Sequence, residues 1–376
     1  NNIDRFITSD YYFDTLPKYI NDFNNDLRFE TYRDSLWTKI LPDSIYLKHS
    51  RLDNFTGEVD SYHMDHDSIT KTKIKTNNYK PVFPISFDHN KKPGAEILGT
   101  PWFDDKLVDL SKLILDEENL GTDDNPDLFF IGFSAMDYVI HNYGPFSQET
   151  MDYLIRLDIQ LNKLITHIDN TIGLEHVEFV LTSDHGGLPL PEFLPQLNLS
   201  GGRINRDNLR EAYDWIEDEI SEYYGENLFY KDFTNYYLFH DKLKKKKIEA
   251  SDLENIIKKY LEMVDGVKAV LSKTEIISSK KTDNVSLRLK NMLHVEQSAD
   301  VFVILEPGYL YRNPYGTSHG SPYDYDSHVP LLFVKEGRPK TEIKVQAETV
   351  DIAPTILNLL NIKTDYPFEG KVLKIQ

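Results

Sequence analysis

The chain has 376 residues, which is long enough for a large core and allows either one large domain with insertions or two domains. Its formal net charge of −19 argues against a nucleic-acid-binding surface, because such a surface needs a basic stripe. The absence of cysteine excludes disulfides, thiolate metal ligands and cysteine nucleophiles in this chain, and its apolar runs are too short to span a bilayer.

The first hundred residues are rich in Tyr, Asp, Asn and Pro and lack long periodic segments. They predict irregular structure with short helices, one of them at residues 16–27. No signal peptide is visible at the start of the chain. Since the chain begins with Asn1 instead of Met, we expect a processed or truncated product.

Two apolar strands and a long helix between them are predicted in the middle of the chain, after a first helix at residues 104–120. The strands, at 127–135 and 176–184, are short and nearly all apolar, which is typical of strands buried on both faces. The helix between them covers residues 147–171, and Ser147 is placed to cap it. We therefore predict an α/β fold with a mostly parallel sheet sandwiched between helices.

A small α+β insertion is predicted before the last core strand. Residues 251–310 alternate between helix and strand, and we place the whole inserted region at 196–310. The lysine run at 244–247 indicates a solvated helix end. A core strand at 328–337 and an apolar helix with Pro354 near its start complete the predicted elements.

Acidic and imidazole side chains follow both predicted strands directly. Asp137 and His141 come after the first strand, and Asp184 and His185 come after the second. Because ligands bind at the carboxyl ends of strands in open parallel sheets, we expect the two pairs to converge on one rim. Imidazole and carboxylate suit zinc or a similar divalent ion, and without thiolates a catalytic site is favoured over a structural one.

Two further histidines lie upstream of the third core strand. His319 sits between small residues in a loop that can approach a metal closely, and His328 starts the strand itself. Each motif alone is weak, but three of them at strand edges in one chain favour a common site. We interpret the remaining histidines as surface or structural residues, including His63, His66, His167 and His176.

The ordered motifs resemble those of the alkaline phosphatase superfamily. The similarity is greatest to the type I phosphodiesterase/nucleotide pyrophosphatase branch and to the bacterial phosphate-irrepressible alkaline phosphatases. It covers nearly the whole chain and rests on DLFFIGFSAMDYVIHNYGPFSQETMDYLIRLD, FVLTSDHGG, YGTSHGSPYDYDSHVPLLF and ETVDIAPTILNLLNI. The resemblance implies one alkaline phosphatase-like domain over residues 1–376 with a cap-like α+β region at 196–310.

The resemblance also implies a site with two Zn²⁺ ions. One ion would be bound by Asp137, His141 and His319, and the other by Asp184 and His185. His319 is preferred to His328 because the superfamily's last ligand usually precedes a Val-Pro strand by a short loop. The implied ligand is a small phosphorylated substrate, and the implied location is the periplasm or the outside of a bacterial cell.

One part of the family pattern has no counterpart in this chain. The family takes a further aspartate ligand and a Thr or Ser nucleophile from a more N-terminal segment, so we expect both upstream of Asn1. The available hydroxyls fit packing or supporting roles better, namely those of Thr182, Ser183, Thr317 and Ser318. We therefore expect half a site, with weak zinc binding at the second position and little turnover by this chain alone.

The expected activity is zinc-dependent hydrolysis of phosphate monoesters by a Thr or Ser nucleophile. Three alternatives stay open at this point. The first is a phosphodiesterase or nucleotide pyrophosphatase with the same metals, and the second is a sulfatase, which the Asp-x3-His spacing disfavours. The third is a non-catalytic module whose metal only ties the sheet edges together.

Overall fold

Helices dominate the part of the chain that a computed structural model describes, which is residues 6–26, 32, 35–58, 82–86, 97–232, 234–311 and 315–375. The helices are α1 (Lys18–Asn25), α2 (Asp43–His49), α3 (Pro101–Glu117), α4 (Ala135–Tyr143), α5 (Gln148–Thr171), α6 (Arg206–Tyr224), α7 (His240–Lys246), α8 (Ala250–Leu261), α9 (Lys273–Ser278), α10 (Asn284–Asn291), α11 (Asp324–Ser327) and α12 (Ile352–Leu359). The strands are β1 (Leu36–Trp37), β2 (Ile85–Ser86), β3 (Glu178–Thr182), β4 (Gly202–Arg203), β5 (Phe229–Asp232), β6 (Asn235–Leu238), β7 (Val267–Ser272), β8 (Val301–Leu305), β9 (Tyr309–Leu310) and β10 (Leu331–Lys335).

The long helix α5 forms where the sequence predicts it. The Ser147 hydroxyl accepts a hydrogen bond from the backbone N–H of Thr150 at 2.9 Å, so the predicted N-cap is confirmed. Apolar residues of α5 pack against α3 through a buried cluster that contains Val108, Leu164 and Ile168. The predicted helices at 16–27, 104–120 and near Pro354 are formed as α1, α3 and α12. Helices and strands are mixed along the chain, as expected for the α/β class. Among the described residues, no helix is long and apolar enough to cross a membrane.

The two core strands β3 and β10 pair differently from the prediction. They run antiparallel, with Thr182 opposite Leu331 and Glu178 opposite Lys335, whereas the sheet as a whole is predicted to be mostly parallel. Burial on both faces is wrong here, because Leu181 and Leu332 share an exposed face of the pair. An apolar run does not reveal strand direction, which depends on the partner strand.

The strand predicted at 127–135 is not formed. Residues 127–134 have no regular secondary structure, and Phe129, Ile131 and Phe133 pack beside the α3–α5 cluster. The residues that alternate with these face solvent, and Phe130 is 79% exposed. Since no other strand pairs with this segment among the described residues, it has the alternation of a strand without a ladder.

An α+β unit with its own core lies between the site segments. Strands in the order β5-β6-β8-β7 form an antiparallel sheet. Helices α6 and α8 pack on each other and contribute Ile216, Ile220 and Ile257 to its buried core. The predicted succession of helix, strand, helix and strand within 251–310 is confirmed. The limits of the insertion, 196–310, stay a prediction.

Candidate metal site

Helix α4 presents the first Asp/His pair. Asp137 and His141 are one turn apart, and Asp137 Oδ1 lies 3.4 Å from His141 Nε2. Val139 and Tyr143 are buried at other positions of the helix and anchor it in the core. Helix α4 therefore has one side in the core and carries two potential ligands on the side that remains accessible.

The end of β3 brings the second pair to the same place. His185 Nε2 lies 3.5 Å from Asp184 Oδ2 and 3.9 Å from Asp137 Oδ1. Asp184 is the outermost of these groups, with a side chain that is 84% exposed. Gly186 is required by packing, because a Cβ there would lie 2.1 Å from the carbonyl oxygen of Tyr325. The turn after β3 thus rests directly on α11.

A loop between β9 and α11 adds His319 to the cluster. Its backbone is tied to α4 by the N–H of Thr317, which donates to the carbonyl of His141 at 2.9 Å. His319 Nε2 lies 3.5 Å from Asp137 Oδ1. The rings of His319 and His185 are stacked, with centroids 3.4 Å apart and planes 12° apart. One carboxylate oxygen is therefore within 4 Å of three imidazole nitrogens.

Hydrogen bonds to backbone carbonyls fix the orientation of two of these rings. His141 Nδ1 donates to Thr317 O at 2.7 Å, and His185 Nδ1 donates to Gly186 O at 2.8 Å. A carbonyl oxygen only accepts, so both rings carry their hydrogen on Nδ1 and leave a lone pair on Nε2. Histidines that bind a metal typically donate a hydrogen bond in this way from the ring nitrogen that does not contact the metal.

The surroundings of His319 lower its pKa and so favour its neutral form. Burial lowers the pKa of His319, and the nearby His185 lowers it further, while Asp137 raises it and His141 lowers it. A neutral imidazole has the lone pair that a metal requires. The donor set, with imidazole nitrogens around one carboxylate, fits a divalent ion such as zinc.

The structure brings three of the five predicted site residues into one group, and His141 and Asp184 each lie within 4 Å of one member of it. Ligand atoms of Asp137, His185 and His319 all lie within 4.8 Å of one another. Asp137 therefore belongs to the first predicted Asp/His pair and also lies close to the histidine of the second. His328 lies at the end of α11, is exposed, and donates its backbone N–H to Asp324 O at 2.9 Å. The assignment of particular ligands to particular ions stays a prediction.

Sequence reasoning missed Asp326, a buried acid beside the site. Its side chain accepts a hydrogen bond from the backbone N–H of Ser321 at 2.7 Å, and its carbonyl accepts one from the N–H of Gly186, also at 2.7 Å. The sequence shows it only as one acid in YDYDSH, where turn formation is the simpler explanation. Of the remaining histidines, His63 and His66 lie outside the described residues, and His167 and His176 contact acids away from the cluster.

Taken together, the fold and the site define an α/β protein with a carboxylate–imidazole cluster at the end of one strand of its core sheet. The chain belongs to the type I phosphodiesterase / nucleotide pyrophosphatase family, whose model matches residues 5–329. The family expected from the sequence motifs is thereby confirmed.

Known relatives and solved structures agree with this assignment. The chain is 28% identical over 373 residues to alkaline phosphatase PafA of Elizabethkingia meningoseptica, covering 98% of this chain and 65% of the relative. It is 27% identical over 369 residues to alkaline phosphatase PhoV of Synechococcus elongatus, covering 98% of this chain and 64% of the relative. A crystal structure of wild-type PafA superimposes with a TM-score of 0.80 at 26% identity, over 98% of this chain and 68% of that chain. The alkaline phosphatase-like α/β fold is confirmed, and the chain spans slightly less than two thirds of the length of these two relatives.

Proposed function

We propose that this chain carries part of the active site of a zinc-dependent hydrolase of phosphate monoesters. The observation that carries the proposal is the convergence of three imidazole Nε2 atoms on Asp137 Oδ1, all within 4 Å. The two relatives described above are both named alkaline phosphatases. Their resemblance to this chain supports the reaction class, and the cluster supports the use of metal.

The proposed site holds two Zn²⁺ ions. Asp137, His141 and His319 bind one ion, and Asp184 and His185 bind the other. The hydrogen bonds from Nδ1 of His141 and His185 to carbonyl oxygens support this role, because they leave Nε2 available as the ligand atom. When bound, the two ions would activate the nucleophile and stabilise the charge of the transferred phosphoryl group.

In this proposal the residues of this chain bind the metal ions and orient the substrate. The nucleophile is a Thr or Ser outside residues 1–376. Two described hydroxyls near the cluster are engaged by backbone carbonyls. The Thr317 hydroxyl is buried and donates to Leu188 O at 2.7 Å, and that of Ser183 donates to His185 O at 2.7 Å.

Binding of inorganic phosphate tests the proposed site without requiring turnover. Calorimetric titration of phosphate into the chain should give a binding signal with zinc present and none after chelation. An Asp137→Asn variant should lose the zinc-dependent signal, whereas Asp124→Asn, an exposed change in the loop after α3, should keep it. Phosphate binding that is unchanged by chelation would contradict the proposal.

Turnover tests the proposed location of the nucleophile. We expect the chain, with added zinc, to hydrolyse p-nitrophenyl phosphate slowly or not at all. Robust hydrolysis by residues 1–376 that is lost in Asp137→Asn would show that a nucleophile is present in this chain and would overturn this part of the proposal.

A phosphodiesterase or nucleotide pyrophosphatase activity is the second candidate, because the matching family model carries that description. The same metal ligands would serve both reactions. The ratio of rates on p-nitrophenyl phosphate and bis-p-nitrophenyl phosphate separates them in any preparation that turns over. A non-catalytic metal-stabilised module is the remaining alternative, and it would be favoured if Asp184→Ala unfolded the chain without removing any activity.

The α+β unit is proposed to cap this site, within the predicted limits 196–310. Two contacts with the segment after His319 support the proposal. Arg288 donates to Asp324 Oδ1 at 2.7 Å, and the Tyr323 hydroxyl donates to Leu305 O at 2.6 Å. The proposed substrate is a small phosphorylated molecule, and the proposed location, by likeness to bacterial alkaline phosphatases, is periplasmic or secreted.

A further inference from the structure

A cleft of about 280 Å³ lies between helices α3 and α5, and none of the five proposed metal ligands lines it. Gln160 of α5 is one of its lining residues. This residue comes 13 positions after the N-cap at Ser147, which corresponds to about 20 Å along the helix axis. Small-molecule pockets in proteins begin at roughly 300 Å³, so the cleft has the size of a site for a small ligand.

Aromatic and apolar side chains make up much of the lining. The ring centroids of Trp102 and Tyr32 lie 5.8 Å apart, and the two ring planes are inclined at 37°. Ile40 and Ile159 also line the cleft and remain 41% and 40% exposed. Because exposed aromatic and aliphatic surface gains from being covered, this lining favours a flat ring as the occupant.

The charged side chains of the cleft are already paired. Asp105 accepts a hydrogen bond from the Tyr32 hydroxyl at 2.6 Å through one oxygen and lies 3.3 Å from Lys163 Nζ through the other. Arg156 Nε donates to Asp152 Oδ2 at 2.7 Å, and its Nη2 donates to a backbone carbonyl at 2.6 Å. Two cations are thus balanced by two carboxylates, so the cleft favours an uncharged ligand over an anion such as phosphate.

Gln160 supplies a polar atom whose hydrogen bond is not made. Its Oε1 is buried and has no hydrogen-bond partner among the described residues. Such an acceptor is costly to leave unpaired, so a ligand that brings a donor to it gains affinity. A side-chain amide presents an acceptor and a donor next to each other, and an amino group beside a ring nitrogen complements both. Glutamine pairs with adenine in this way.

We propose that this cleft binds an uncharged purine that carries an exocyclic amino group. The purine ring packs against Trp102, and its amino group donates a hydrogen bond to Gln160 Oε1. The binding site goes beyond the proposed hydrolase function, because it uses neither the metal ligands nor a phosphate group.

The first test is calorimetric titration of adenosine into the full chain with a chelator present. The chelator keeps metal away from the carboxylate–imidazole cluster, and adenosine has no phosphate, so the result does not depend on the proposed function. We expect saturable binding of adenosine. Purine riboside has the same ring system without the amino group and should bind about tenfold more weakly. Absence of saturable adenosine binding, or equal affinity for the two nucleosides, would overturn the proposal.

The second test locates the binding with a pair of matched variants. Gln160→Met keeps the length of the side chain and removes the amide, so it should weaken adenosine binding about tenfold and leave the affinity for purine riboside unchanged. Gln297→Met makes the same change at an exposed position of the α+β unit and should alter neither affinity. A Gln160→Met variant that binds both nucleosides as the parent does, or loses both equally, would contradict the proposed contact.

The third test needs no ligand. Gln160→Met removes a buried oxygen that has no partner, so we expect the variant to unfold at a temperature no lower than that of the parent chain. A clear drop in the unfolding temperature, with none in Gln297→Met, would show that Oε1 is already bonded within the protein. That result would remove the basis of the proposed purine contact.

Discussion

Asp137 is the residue on which the geometry of the site depends most. Its Oδ1 lies within 4 Å of the Nε2 atoms of His141, His185 and His319. Asp184 has a much looser setting, since its side chain is largely exposed and lies near His185 alone among these rings. The two acids are chemically identical but are expected to contribute unequally to metal binding.

The inequality predicts different effects of the same substitution at the two acids. Asp137→Asn should lower zinc affinity by at least the roughly 10–100-fold that loss of an outer partner costs, and Asp184→Asn should lower it less. Chelator competition at fixed pH measures both. Asp116→Asn is the control, because Asp116 pairs with His167 at 2.8 Å on the surface. An effect of Asp184→Asn equal to or larger than that of Asp137→Asn would contradict this ranking.

A buried carboxyl group on helix α3 joins this helix to α5 beside the start of helix α4. Asp104 accepts a hydrogen bond from the hydroxyl of Tyr153 of α5. Burial raises the pKa of Asp104 to about 7, although the backbone N–H of Ala135, the first residue of α4, lowers it. The helices next to the site are therefore linked by a group that titrates near neutral pH.

The raised pKa of Asp104 predicts a pH dependence of stability. Between pH values of about 4 and about 7, Asp104 keeps its proton in the folded state and loses it in the unfolded state. The contribution of Asp104 to the free energy of unfolding is therefore full below this pH range and is lost as the pH rises through it. The Asp104→Asn side chain cannot titrate, so the free energy of unfolding of this variant should fall less steeply with pH than that of the parent chain. The two slopes should differ by up to about 1.4 kcal/mol per pH unit. Urea unfolding at several pH values measures the difference. Parallel curves for the variant and the parent would contradict the assignment, and Asp124→Asn serves as the exposed control.

The N-cap of α5 gives a second prediction for a single helix. Ser147→Ala removes the acceptor for the Thr150 N–H and should cost about 1 kcal/mol of stability. Ser278→Ala changes an exposed hydroxyl near a helix end and should cost less. Thermal unfolding compares the two, and an equal loss would show that capping is not the reason.

Helices were predictable from the sequence because their signals are local. The N-cap at Ser147 and the apolar spacing of α5 lie within the element itself. The strands depended on partners elsewhere in the chain. The segment at 127–135 has the composition of a strand but pairs with no strand in the described ranges, and β3 and β10 pair antiparallel across about 150 residues. Apolar composition does not encode such pairing.

Part of the site was predictable because its signals, like those of the helices, are local in the sequence. Asp137, His141, Asp184, His185 and His319 stood out because polar metal-binding side chains directly follow apolar runs or sit in a small-residue loop. The role of Asp137 between the two pairs was not predictable, since it depends on how α4 faces the His319 loop. Asp326 was missed because burial turns an ordinary loop acid into a contact between two segments.

The described part of the chain presents one cluster with the ligand types of a divalent metal ion. The chain spans 65% and 64% of the length of the two alkaline phosphatases compared above. The most direct test of the account is a crystal of the chain soaked with zinc, with diffraction recorded above and below the zinc absorption edge. We expect anomalous density at a position bound by Asp137 and the Nε2 atoms of the clustered histidines. Fully occupied zinc elsewhere, with none at this cluster, would contradict it.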